Sequence, residues 1–152
     1  MKYLVLLLFV LVSSVNADTY GELSYIDKKM LNVCRLENFP DNTSYEEKGD
    51  YCVIAGTLLN ELLQKEYNET KKARLVLETT QMWVKAGNFY YLGNINNEVT
   101  NEISEFIYYS YNTICLNNSK KETYQVSVCE NLLMYKGFDE TKVRTSQSQS
   151  TY

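Results

Sequence analysis

The sequence predicts an α+β domain in which one long helix lies across an antiparallel β-sheet. Residues 51–68 carry apolar side chains at helical spacing, which predicts the helix. Residues 73–82 and 123–129 instead alternate between two faces, which is the period of a strand. The broad apolar face of the helix needs a cover, and the strands downstream would supply it.

A secretory signal is predicted at the start of the chain. Met1 and Lys2 form a short basic start, residues 3–12 are apolar, and residues 15–17 place small side chains where signal peptidase cleaves. The apolar run is too short to span a membrane. We therefore expect residues 1–17 to be removed and the protein to be secreted into the extracellular space.

Three parts are predicted after the signal. A polar arm covers residues 18–48 and includes a short helical segment at residues 25–36. One domain covers residues 49–138, and Asp50 is placed to cap its long helix by accepting backbone hydrogen bonds. Residues 139–152 have low complexity and are predicted to be a disordered tail.

Residues 73–92 are predicted to form a β-hairpin. Alternation over residues 75–82 indicates the first strand, and the aromatic run at residues 88–92 indicates the second. A glycine lets the backbone turn in the loop between them, which consists of Trp83, Val84, Lys85, Ala86 and Gly87. The hairpin would thus present an apolar tip, which suits recognition of a partner.

Two further strands complete the predicted sheet. Residues 102–116 alternate in a Tyr-rich run, although a helix over residues 101–109 also fits that run. Residues 123–129 alternate more cleanly, with Tyr and Val side chains on one side. Together with the hairpin, these strands would form a meander of about four strands.

Four cysteines follow the signal, and an even count in a secreted chain indicates two disulfides. Three connectivities are possible. Pairing of Cys34 with Cys52 and of Cys115 with Cys129 is preferred, because loops of that size close at modest entropic cost. Each bridge should stabilise the fold by about 3 kcal/mol. The spacings do not suit a zinc site, whose ligands come in close pairs.

Three Asn-x-Ser/Thr tripeptides are candidate glycan acceptors, and each would then lie on the surface. Such tripeptides arise often by chance in a chain rich in Asn, so each one alone is a weak signal. The candidate acceptors are Asn42, Asn68 and Asn117.

The composition excludes several classes of function. The chain has no His, which removes His-assisted catalytic triads and imidazole metal sites, so we expect no metal, no cofactor and no enzymatic activity. The formal net charge of −4 disfavours binding to nucleic acid or to an anionic membrane, because both attract basic proteins. We expect a monomer that acts by binding another molecule.

Two short stretches resemble the cystatin family. Glu66-Tyr67-Asn68 is similar to a Glu-Tyr-Asn word of secreted cystatins, and residues 84–92 are similar to their Gln-x-Val-x-Gly loop with the aromatic pair and Leu that follow. The resemblance covers roughly residues 45–130 and implies the cystatin-like fold. It also makes the Cys115–Cys129 pair similar to the disulfide that holds the last cystatin hairpin.

The resemblance implies a wedge that enters the active cleft of papain-like cysteine proteases. Only the first hairpin loop of the three cystatin contact elements transfers, with Trp83 where Gln is expected and Lys85 where Val is expected. The second loop has no Pro-Trp and carries the Asn117 tripeptide instead. The Gly of the N-terminal element is either Gly21 or Gly49.

Three hypotheses for the function follow. The first is a reversible inhibitor of papain-like cysteine proteases with residues 83–87 as the main contact, although packing of Trp83 in the core is an equally good interpretation. The second is a secreted cystatin-fold binding module without inhibition, which would bind another protein or a small ligand. The third is that the resemblance is accidental and the chain is a small helical secreted carrier.

Overall fold

The computed structural model describes residue 21, residues 23–116 and residues 121–143. Every regular element within these ranges is a helix. In chain order the elements are α1 (Tyr25–Leu36), α2 (Tyr45–Lys65), α3 (Glu69–Leu92), α4 (Glu98–Ser110), a π-helical turn (Tyr111–Cys115) and α5 (Thr123–Leu133). Residues 140–143 add one further helical turn.

The predicted α+β fold is wrong, because the part of the chain that the structure describes contains no strand and no sheet. Residues 73–92, predicted to be a hairpin, lie within the continuous helix α3. Residues 102–116 lie in α4 and the π-helical turn, so of the two alternatives for residues 101–109 the helix is observed. Residues 123–129, predicted to be a strand, lie within α5.

The helix starts are set by side chains that accept backbone N–H groups. Ser44 caps α2 in a capping box, where Oγ of Ser44 accepts from the Glu47 backbone N at 3.2 Å and the Glu47 carboxylate accepts from the Ser44 N at 2.8 Å. The Oδ1 atoms of Asn68 and Asn97 cap α3 and α4. Asp50, the predicted cap, lies inside α2 instead.

Helices α2 and α3 form a hairpin of two long helices that contributes much of the core. They approach closely where α2 carries glycine. A Cβ on Gly49 would lie 2.7 Å from Cδ1 of Tyr90, and a Cβ on Gly56 would lie 3.1 Å from the indole Cε2 of Trp83. Tyr90 is buried, and its hydroxyl donates to Oδ1 of Asp50. The two aromatic rings therefore fill spaces that these glycines leave open.

The buried stripe of α3 shows why part of its sequence fits the period of a strand as well as that of a helix. Its members recur every three or four residues, which is helical spacing; they include Leu75, Thr79, Met82, Ala86 and Tyr90. Leu75 and Thr79 also belong to the alternating set over residues 75–82. A window that short cannot separate the two periods, and only the continuation to Tyr90 does so.

The segment that follows α5 is held against α4 by Tyr108. The Tyr108 hydroxyl donates to the Gly137 carbonyl at 3.3 Å and accepts from the Asp139 backbone N at 2.7 Å. The Tyr108 ring stacks on Phe138 with 5.4 Å between ring centroids. Because these contacts fix residues 137–139, the chain remains attached to the helical core beyond the end of α5.

The predicted boundaries fall as follows. The boundary between residues 48 and 49 lies inside α2. The tail predicted to be disordered, residues 139–152, includes the helical turn at residues 140–143, in which Val143 is buried. Residues 144–152 lie outside the described ranges. The predicted signal at residues 1–17 also lies outside them. Among the residues described, no helix combines the length and apolar character needed to cross a membrane.

The free energy of unfolding is expected to fall at alkaline pH, because folding raises the pKa of two tyrosines. Burial, and then the hydrogen bond to Asp50, raise the pKa of Tyr90 far above its ordinary value of 10.0, and burial also raises the pKa of Tyr135. The unfolded chain therefore loses these protons first. The stabilisation is complete below about pH 10 and is lost as the pH rises towards the folded-state values.

Urea unfolding between about pH 8 and pH 11 checks this expectation. The Tyr90→Phe variant loses the hydrogen bond to Asp50, which costs about 1 kcal/mol at neutral pH, but its stability should decline less steeply above pH 10. Equal alkaline slopes for the native protein and the variant would contradict a raised pKa for Tyr90.

Candidate functional site

The residues predicted to contact a protease do not form an exposed tip. Residues 83–87 lie in the middle of α3, where Val84 and Ala86 are 3% and 0% exposed. A Cβ on Gly87 would lie 2.9 Å from the Tyr135 ring, so this glycine allows close packing rather than a turn. The hairpin loop is not formed because the helix continues to Leu92.

Trp83 and Lys85 from the same run have structural partners. Trp83 packs over Gly56 and lies 5.8 Å from the Phe106 ring between centroids, which is the core interpretation of this residue. Nζ of Lys85 donates to the Arg35 carbonyl at 3.0 Å and lies 2.9 Å from Oε1 of Glu37. Lys85 therefore places a positive charge at the C-terminus of α1, where the helix dipole favours one.

An open groove runs along the face of α1 that points away from the core. We call it the α1 groove; its volume is about 570 Å³, within the range of small-molecule sites. One wall is a stripe of α1 at helical spacing, and the other is the chain that follows α1. The lining consists of Tyr25, Lys28, Lys29, Asn32, Val33, Leu36, Asn38, Phe39 and Pro40.

The second wall exists because the chain reverses at the end of α1. Glu37 adopts the left-handed conformation with φ of 54°, and the backbone N of Asn38 donates to the Val33 carbonyl at 3.1 Å. This turn directs Phe39 back along the helix. The Phe39 ring meets Phe89 edge-on, with 5.3 Å between centroids, so the wall is packed against α3.

In addition to the Lys85 contacts, a disulfide and an ion pair hold helix α1 to its neighbours. The Cys34–Cys52 disulfide joins it to α2, and both cysteines are completely buried. Arg35 lies 3.0 Å from the Glu78 carboxylate of α3, which also lies 2.9 Å from Nε of Arg74. The groove is therefore built on a restrained helix, which lowers the ordering cost of binding.

The two lysines of the α1 groove have no carboxylate partner among the described residues, whereas four other basic side chains do. Arg35, Lys72, Arg74 and Lys85 each lie within 4 Å of a carboxylate. Within the described part of the chain, no carboxylate lies at ion-pair distance from Lys28 or Lys29, and both side chains are exposed. Two adjacent uncompensated ammonium groups in an acidic protein create a local positive potential.

Apolar side chains border these ammonium groups along the stripe. Tyr25 and Leu36, at its two ends, are 82% and 71% exposed, and Val33 and Phe39 are half-buried between the walls. Exposed apolar residues gathered in a groove mark interaction sites more often than scattered ones do. The arrangement can bind a molecule that has an apolar body and a negatively charged group.

The predicted disulfides are confirmed, and the glycan acceptors can be partly placed. Cys34 bonds to Cys52 and Cys115 bonds to Cys129. Asn42 is exposed in the loop before α2, and Asn68 is exposed at the start of α3. Asn117 lies outside the described ranges. Glycan occupancy at all three positions stays a prediction.

The α1 groove was not predicted, although the sequence contains a signal for it. The outward face of α1 carries Tyr25, Lys29, Asn32 and Leu36, which follow helical spacing. Only one face of a surface helix packs on the core, so large apolar residues on the other face remain available to a partner. The fold-back of Phe39 could not be read from this pattern.

Comparisons with protein families, with curated proteins and with solved structures found no match to this chain. The geometry of the described residues is therefore the basis for a functional hypothesis.

Proposed function

We propose that this protein is a secreted binding protein that holds a small amphiphilic anion, such as a fatty-acid carboxylate, in the α1 groove. The observation that carries the proposal is the pair Lys28 and Lys29, which have no carboxylate partner among the described residues and lie beside apolar walls. The carboxylate would lie against the ammonium groups, and the alkyl chain would cover Val33 and Phe39.

Both parts of such a ligand would contribute to affinity. Each buried methylene contributes about 0.8 kcal/mol, so the alkyl chain supplies affinity that grows with its length. The ion pairs are exposed to solvent, so they contribute less and weaken with added salt. They would nevertheless decide the class of ligand, because an amine of the same length would meet two like charges.

The paired change Lys28→Gln and Lys29→Gln is expected to weaken binding of decanoate about tenfold. Each ammonium group attracts a carboxylate at contact distance by about 1 kcal/mol in water, and screening by salt reduces the sum of the two. Isothermal titration calorimetry with the oxidised protein measures this change. Native protein should bind decanoate more tightly than decylamine or decanol, and added salt should reduce the difference.

A matched control is the paired change Lys65→Gln and Lys136→Gln, which removes the same charge from exposed lysines that do not line the groove. This variant should bind decanoate like the native protein. Equal affinity for decanoate and decanol, or an equal loss in both lysine pairs, would contradict the proposed site.

Inhibition of papain-like cysteine proteases stays a prediction. It would have to use a surface other than residues 83–87, because Val84, Ala86 and Gly87 are buried in α3 and the side chains of Trp83 and Lys85 are engaged by contacts within the protein. A titration of the folded protein against papain tests it independently of decanoate binding.

A further inference from the structure

A second groove is lined mainly by acidic residues, in contrast to the two lysines of the α1 groove. We call it the three-helix groove; it lies where the end of α2, the start of α3 and the start of α5 meet, and its volume is about 580 Å³. Spaces between the helices of a bundle are common ligand sites. The α1 groove and this groove share no lining residue.

Apolar and aromatic side chains form the surface of the three-helix groove. Leu63, Ala73 and Val76 contribute aliphatic surface from α2 and α3, and Tyr124 contributes a half-buried ring from α5. Tyr67, in the connection between α2 and α3, also lines the groove and is 91% exposed. An aromatic ring with both faces open can stack on a ligand without first leaving the core.

The charged residues of this groove are mainly acidic. Glu66, Glu69 and Glu122 line it together with a single basic residue, Lys72. The Glu69–Lys72 pair is long, at 3.8 Å, and exposed, so a ligand can displace it at little cost. Oε1 of Glu66 accepts from two backbone N–H groups, at 2.9 and 2.8 Å, which fixes its carboxylate beside Tyr67.

We propose that the three-helix groove binds an organic ammonium ion with an apolar or aromatic body. The cation would lie near Glu69 and Glu122 and against the face of Tyr67, because aromatic rings attract cations through their electron-rich faces. The body of the ligand would cover Val76 and Tyr124. This site is independent of the proposed anion site, since its charge, its lining residues and its helices differ.

The probe for this site is phenethylamine, compared with 2-phenylethanol and phenylacetate, which keep the ring and change the charge. We expect saturable changes in the amide NMR spectrum at residues 63–76 and 122–124 for the amine, weaker ones for the alcohol and none for the anion. The paired change Glu69→Gln and Glu122→Gln should weaken amine binding about tenfold. Tyr67→Leu should weaken it about threefold, whereas Tyr67→Phe should retain it.

The paired change Glu102→Gln and Glu130→Gln serves as the charge control, since both residues are exposed and neither lines the groove. It should leave amine binding unchanged. Equal binding of the amine and the alcohol, or equal losses in the two Glu pairs, would overturn the proposal. Decanoate binding by the Glu69/Glu122 variant separates the two sites: it should be retained whether or not the amine binds.

Discussion

Removal of the Cys34–Cys52 disulfide, by the paired change Cys34→Ala and Cys52→Ala, is expected to lower the free energy of unfolding by about 3 kcal/mol. It should also abolish measurable decanoate binding. The bridge closes a loop with a sequence separation of 18 and is the covalent link between α1 and α2. Without it, α1 is held by the packing of Leu31, by the Lys85 hydrogen bonds and by partly exposed ion pairs, so the walls of the α1 groove lose their fixed spacing. Urea unfolding and calorimetric titration measure the two effects.

The second disulfide provides a matched control for this prediction. Cys115–Cys129 closes a loop of similar length, with a sequence separation of 14, but it joins the π-helical turn to α5. The paired change Cys115→Ala and Cys129→Ala should therefore cost a similar free energy of unfolding. It should leave decanoate affinity unchanged below the unfolding transition. Retained binding in the Cys34/Cys52 variant would show that the groove does not depend on the restraint of α1.

The Tyr90→Ala variant is expected to lose about 4 kcal/mol of stability. Tyr90 is among the largest fully buried side chains, and truncating a buried aromatic residue leaves a cavity and removes its apolar contacts. It also leaves Asp50 without the hydroxyl that donates to it. Urea unfolding monitored by circular dichroism measures the loss.

Gly49→Ala provides a sharper test of the same contact. In the native protein the added methyl would collide with the Tyr90 ring, so it should destabilise by about 1 kcal/mol even though Ala favours helix. In the Tyr90→Ala background the ring is absent, and Gly49→Ala should instead stabilise by about 1 kcal/mol. The reversed sign is expected only if α2 and α3 pack as the structure shows. The same sign in both backgrounds would contradict that packing.

Features of the fold that depend on local sequence were predictable. The helix at Tyr25–Leu36 and both disulfides were predicted and are confirmed. The capping box of Ser44 and Glu47 was also readable as a helix start, yet the predicted helix began at residue 51. The N-terminal end of α2 is therefore encoded in a short local motif.

The error in α3 and α5 has a common cause. Both helices are rich in Thr, Val and aromatic residues, which favour strands when considered alone. Tertiary packing overrides that preference, because Gly49 and Gly56 of α2 leave room for Tyr90 and Trp83. Val128 and Leu132 of α5 are buried at helical spacing, whereas Val126, which a strand would bury with Val128, is exposed.

The candidate site was less predictable than the helices. The adjacent lysines and the outward apolar residues of α1 are visible in the sequence, but the absence of a carboxylate partner within the described residues is a property of the folded chain. The second wall depends on the left-handed conformation of Glu37, which is uncommon for this residue type. Sequence patterns do not specify such a turn.

The most direct test of the proposed binding site is an amide NMR titration of the oxidised protein with decanoate. The proposal predicts saturable shifts confined to α1 and residues 38–40, and their loss in the Lys28/Lys29 variant. Shifts that do not saturate, or that are centred on the three-helix groove, would contradict the assignment of the α1 groove as the anion site.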